Sequence, residues 1–249
     1  MSTGQDPDPV IVDFPIAYVK RALFVDSNGD LQSSSVRDAA QFRPGAELIV
    51  RDRASPSAAE TVITEGVCPA GDAYDVKDIS VSYDGSRLVF AMRAPEIPNA
   101  DEDEQPTWNI WIYDHTTQIL ERVISSDITA EDGQDVAPRF LPDGRIVFAS
   151  TRQRQAKAVL LDEGKPQFSA LDESRNDPAF ALHVMDELGG SIEQISFNQS
   201  SDLDPFVFAD GRIGFSRWDN AGFNNQINLY TANPDGSDLH LLYGAHSHD

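Results

Sequence analysis

The sequence predicts an all-β chain made of successive four-stranded antiparallel blades set radially as a β-propeller, and three observations predict it. An Asp-Gly reversal recurs at Asp84-Gly85, Asp143-Gly144 and Asp210-Gly211, at separations of 59 and 67 residues. Each reversal leads into an alternating apolar run: RLVFAMR from Arg87, RIVFASTR from Arg145 and RIGFSRW from Arg212. After a variable gap, each run is followed by two more strand-like stretches joined by a turn. A unit of four short strands repeated along the chain is the pattern of radially arranged sheets.

Taken in order, residues 1–12 are polar and Pro-rich and read as a tether, and 13–249 read as the propeller segment. The first unit, about 13–66, offers strand b in FPIAYVKRAL, strand c in ELIVRDR and strand d in ETVIT, with no strand a before them. The second, about 73–127, runs from the strand before Asp84 through RLVFAMR and NIWIYD to ILERVIS. The third, about 133–199, opens on Asp135-x-x-Pro138-x-Phe140 and continues through RIVFASTR and ALHVMD to IEQISF. The fourth, about 200–243, opens on Asp202-x-x-Pro205-x-Val207 and ends on INLYTA and LHLLYG. Alternation places Leu88/Phe90, Ile146/Phe148 and Ile213/Phe215 on one face of their strands, and the Gly of each turn supplies the positive φ that a tight reversal needs. The count ends one strand short of closure, so the chain reads as about four blades of a larger propeller, truncated at its C-terminus. A four-bladed disc closed in some other way is the alternative.

Composition narrows the partners. The 41 acidic against 19 basic residues give a formal charge of −22, which repels a phosphate backbone and argues against nucleic acid or anionic lipid. The acids include 29 Asp while only 4 residues are Lys, as suits a solvated acidic surface. One cysteine, Cys68, rules out an internal disulfide framework, and no apolar run approaches the length that crosses a bilayer. The polar start fits the mature region of an exported protein, with a lipid anchor upstream as one form of it.

The run DVAPRFLPDGRIVFASTR, and nearly DLDPFVFADGRIGFSRWD, resembles the PD40 or TolB-like repeat over most of Asp75–Tyr243. The second unit departs from it, with Ile79 where the repeat has Pro. PIAYVKR near the start and NPDGSDLHLLYGAHSHD at the end are similar to proteins related to the propeller region of the hydrazine synthase alpha subunit. That likeness implies a periplasmic or extracellular multidomain protein whose haem chemistry belongs to CxxCH-bearing parts, and none occur here.

In such a blade the a-b and c-d turns share one face, and the b-c and d-a connections share the other. The first set is short. The second includes 95–107, 154–178 and 219–226, together with three d-a links, so the long-loop face is where a protein partner or small ligand is expected. Its carboxylates, Asp127, Asp132, Asp135, Asp202 and Asp204, are oxygen ligands of the kind Ca²⁺ takes, and His246 and His248 form a pair suited to another divalent metal. Caps, Asx turns and ordinary loop positions account for the same residues without a metal. The acidic run 101–104 reads as a solvated loop. No GxSxG, GxxxxGK[ST] or GxGxxG is present, so nucleophilic catalysis and phosphate cradling find no support. The expected function is a non-catalytic binding or scaffolding module of an exported bacterial-type protein. The alternative is the propeller part of a multidomain enzyme, either a haem-containing relative of hydrazine synthase alpha or a serine peptidase with a gating propeller.

Overall fold

The structure, a computed structural model, describes residues 14–25, 27–32, 37–69, 71–166, 169–171, 178–221 and 224–244. Among them, fifteen strands form four antiparallel sheets, each a simple meander. The first blade has β1 (Ile16–Lys20), β2 (Glu47–Arg51) and β3 (Glu60–Val62); the second has β4 (Asp75–Val81), β5 (Arg87–Arg93), β6 (Trp108–Asp114) and β7 (Ile119–Arg122). The third has β8 (Asp135–Phe140), β9 (Ile146–Ser150), β10 (Ala181–Met185) and β11 (Glu193–Gln194); the fourth has β12 (Asp202–Val207), β13 (Ile213–Ala221), β14 (Asn224–Ala232) and β15 (His240–Tyr243). This is the propeller architecture, with three strands in the first blade. The expected tether, 1–12, lies outside the described residues.

The repeated reversal is one turn built three times. Gly85 N–H donates to Ser82 O at 2.9 Å, Gly144 N–H to Leu141 O at 3.0 Å and Gly211 N–H to Phe208 O at 2.9 Å. Their φ values of 75°, 91° and 88° lie where a side chain is disfavoured, so Gly is the residue the turn requires. The innermost strands share a second device. Register shifts interrupt β4, β8 and β12, and positive φ values fall at Asp78, Ala137 and Asp204, so each strand carries a bulge at the same place. Two bulges are tied together: Ala137 N–H donates to Asp78 Oδ2 at 3.0 Å, and Arg139 Nη1 donates to Asp78 O at 3.2 Å.

Packing between blades follows from strand alternation. Leu88 and Phe90 pack with Leu48 and Val50 of the first blade. Ile146 and Phe148 pack with Val89 and Ile110 of the second. Ile213 and Phe215 pack with Val147 and Leu182 of the third. The face predicted from the three copies is therefore the one each blade turns to its predecessor. Opposite residues such as Val89 and Ala91, or Val147 and Ala149, meet the next blade, so strand b is buried on both sides. Burying apolar area on both faces is the main stabilising contribution of such a stack.

Two connections differ from expectation. Residues 219–226, expected as an irregular loop, extend the β13–β14 ladder, which pairs Asp219 with Gln226 and Ala221 with Asn224. Trp218 lies inside this ladder and is buried, its Nε1 donating to Asn225 Oδ1 at 2.5 Å. The connection from β1 to β2 also does more than join strands. Its Ala39, Ala40 and Phe42 pack on the core shared by the later blades; Trp108 Nε1 donates to Ala40 O at 2.8 Å, and Arg43 N–H donates to the buried Asp75 at 2.6 Å. It thereby ties the first blade to the second.

Candidate functional site on the long-connection face

The largest insertion on this face follows β9. Gln, Ala, Lys and Leu in RQAKAVLLD favour a helix, and α2 (Arg154–Asp162) forms there. It stops at Gly164, where Gly164 N–H donates to Leu161 O at 3.0 Å and Lys165 N–H to Leu160 O at 2.9 Å, a Schellman closure of the last turn. The buried amide of Gln153 fastens the insertion at its base. Gln153 Nε2 donates to Ala170 O at 2.9 Å and Ala179 O at 3.1 Å, and Ala170 N–H donates to Gln153 Oε1 at 2.8 Å.

Held in this way, α2 meets the blade where Gln194 N–H donates to Gln155 Oε1 at 2.6 Å, and it leaves space to either side. A cavity of about 520 Å³ lies between Val159 and Leu160 of α2, Phe180 at the start of β10, and the β11–β12 link at Phe197 and Ser200. A second space, about 360 Å³, lies toward the second blade and has charged side chains on its walls, Asp132, Arg152, Arg154 and Glu193, together with His183. The first has the size of an ordinary small-ligand pocket.

Behind these spaces is a buried polar network. Arg152 grips the fully buried Asp135 through Nε–Oδ1 at 3.2 Å and Nη2–Oδ2 at 2.5 Å, the Ser150 hydroxyl donates to Asp135 Oδ1 at 2.6 Å, and Arg152 Nη1 donates to Thr129 O at 3.2 Å. Burial pushes the Asp135 carboxyl up to about 6, against the pull of the Arg152 guanidinium. His183 is buried beside the network. Burial is the main cause that lowers its pKa to about 4, the Arg152 charge acting in the same direction, so the ring is neutral at physiological pH. In the fourth blade Arg217 grips the buried Asp202 at 2.7 and 2.8 Å.

The carboxylates expected to hold Ca²⁺ are not brought together. Asp135 and Asp202 face inward to arginines; Asp127 pairs with Arg122 at the start of α1 (Asp127–Ala130); Asp132 lies 3.8 Å from Arg154. Asp204 sits on the β12 bulge, open to solvent on one side, and crowding on its other side and the Asp78 charge raise its carboxyl above the usual range. Among the described residues no group of three His, Cys, Asp or Glu side chains is placed to hold a metal ion. His246 and His248 lie outside the described residues. The acidic run 101–104 forms an exposed turn with a short 3-10 segment, Glu102–Glu104. The cavity residues Leu160, Gln194 and Ser200 escaped sequence reading; only the helix-forming run around Leu160 signalled anything.

No family model and no curated protein matches the chain. Solved structures do. Hydrazine synthase of Kuenenia stuttgartiensis is similar over 83% of this chain and 29% of its own, with a TM-score of 0.58 and 18% identity. A protein described as TolB from Agrobacterium tumefaciens is similar over 80% of this chain and 56% of its own, at 0.51 and 15%. The tricorn protease is similar over 90% of this chain and 22% of its own, at 0.53 and 11%. The chain thus spans well under two thirds of each. These likenesses show the fold, a β-propeller similar to that of TolB, and the PD40 resemblance of the repeats points the same way.

Proposed function

We propose that this propeller is a non-catalytic binding or scaffolding module that presents its long-connection face to a ligand. One observation carries the reading. The tight-turn face carries the three near-identical reversals, the short c-d turns and a space of about 240 Å³, whereas the opposite face carries the stapled α2 insertion and a cavity of about 520 Å³. Rigid strands displaying irregular insertions on one side are the usual platform for recognition. An exported setting, periplasmic or extracellular, accompanies this reading; the Asp-rich composition supports it. Among the described residues no helix is long and apolar enough to cross a membrane.

The test is a fragment screen read by amide NMR together with an ester and peptide hydrolysis panel. Perturbed resonances should cluster at residues 153–160, 179–181 and 194–200 and spare the turns at Gly85, Gly144 and Gly211. Perturbations confined to those turns, or turnover abolished by a point mutation, would overturn the proposal.

A further inference from the structure

Deepening that reading, on which it rests, we infer that the cavity between α2 and the β11–β12 link takes a neutral, largely apolar small molecule carrying an N–H or O–H donor. Three observations define this chemistry. The first is charge: in a chain with 41 acidic residues, the described residues lining this cavity include no Asp, Glu, Lys or Arg, whereas the neighbouring cavity under the same helix has Asp132, Arg154 and Glu193. An ionic ligand would lose its hydration here without a counter-charge, and a neutral one would not.

The second is shape and surface. Val159, Leu160, Phe180 and Phe197 give the cavity apolar walls, and two of the four are aromatic, which suits a flat ring. The third is a pair of unmet hydrogen-bonding groups. Gln194 is 7% exposed; its Nε2 donates to Ser196 O at 2.8 Å, which fixes the amide orientation and leaves Oε1 buried without a partner. Ser200 is 2% exposed, and among the described residues neither its hydroxyl nor Gln194 Oε1 has a hydrogen-bond partner. Both residues line the cavity. A buried polar atom left unpaired destabilises the protein, and a ligand that supplies the missing partner recovers that loss on binding. Gln194 Oε1 can only accept, so the ligand must donate; the Ser200 hydroxyl can take either role.

The test titrates the full chain with naphthamide, its N,N-dimethyl derivative and naphthoate, by calorimetry and amide NMR. Naphthamide should bind best. Methylation, which removes both donors, should weaken binding about three- to tenfold, the scale of one hydrogen bond, and the anionic naphthoate should be weaker still. Gln194→Met and Ser200→Ala should shrink the difference between naphthamide and its dimethyl derivative. Leu160→Trp, which fills the space from α2, should abolish binding, and Ala156→Leu provides a milder filling if that variant folds poorly. Without any ligand, Ser200→Ala should hold or raise the melting temperature. Equal affinities for the three probes, indifference to the filling variants, or a drop in melting temperature for Ser200→Ala would overturn the inference. If all three probes fail while other fragments still perturb this face, the ligand chemistry falls and the binding face stands. If no fragment perturbs it, both fall.

Discussion

Blades two and three share a turn, a bulge and an apolar strand b, yet they finish the long-connection end of the inner hairpin in different ways. In blade three, Asp135 is buried two residues before the bulge and is held by Arg152; in blade two, the same register place belongs to Val76, which packs on Leu88 and Phe90. Arg93 ends the ladder there opposite Asp75, its guanidinium lying 4.3 Å over the Phe42 ring and its Nε donating to Pro106 O at 2.7 Å. An apolar residue therefore fills this register place, while the buried carboxylate of blade two, Asp75, sits one residue earlier and is held by Arg21 at 3.0 Å. The ion pair adds position: Arg152 binds strand a, Ser150 of strand b and the link at Thr129 at once, at the point from which the α2 insertion departs. Blade four reaches the same pairing by another route, since Arg217 sits directly opposite Asp202 in the ladder while Arg152 reaches back from beyond Ser150.

The comparison breaks most severely when one charge is removed. Asp135→Ala leaves Arg152 buried and unpaired, and denaturant unfolding should show a loss of about 3 to 5 kcal/mol. Making blade three resemble blade two with Asp135→Leu and Arg152→Met together should restore stability to within about 1 kcal/mol of the parent. A double variant as unstable as the single one would show that the pair is needed for the blade itself.

His183 sharpens the contrast. It faces Phe148 across the ladder, where blade two has Trp111 facing Phe90 and blade four has Tyr230 facing Phe215. Its pKa falls from 6.5 to about 4 on folding, so the unfolded chain binds the extra proton first, and stability is lost as pH falls below 6.5. Compared with His183→Tyr, the parent should lose about 2 kcal/mol between pH 7 and pH 5. Parallel pH profiles for the two proteins would remove the buried neutral imidazole from the account. Asp135 titrates in the opposite sense, gaining stability as pH falls through about 6, and it cancels because both proteins retain it.

Smaller effects should mark what the blades share. Gly85→Ala and Gly144→Ala place a side chain at φ values of 75° and 91°, and each should cost about 1 kcal/mol, equally in both blades. The exposed Arg154, 3.8 Å from Asp132, should matter least; Arg154→Ala should change stability by less than about 0.5 kcal/mol.

The turns and the face each blade turns to its predecessor were readable in the sequence because their causes are local: a Gly with positive φ and a two-residue alternation. The polar groups were readable only as types. Asp135 and Asp202 looked like oxygen ligands, whereas their arginines, 17 and 15 residues away, become neighbours once the ladder forms. The β1–β2 connection was legible as a gap between strands, but its contacts with Trp108 and Asp75 span 68 and 32 residues and obey no period. The cavity depended on the same kind of distant meeting, with Gln153 joining Ala170 and Ala179.

That single amide also bears on how the protein can change. Because Gln153 fastens both returning segments to the foot of the blade, and Gln194 N–H of β11 donates to Gln155 Oε1 at 2.6 Å, the base of the insertion is pinned to the sheet, and lengthening the surface segment beyond it carries only a slow, logarithmic entropy cost. The blade therefore offers an interchangeable socket, in which new sequence can alter what is recognised while the strands that carry it keep their register.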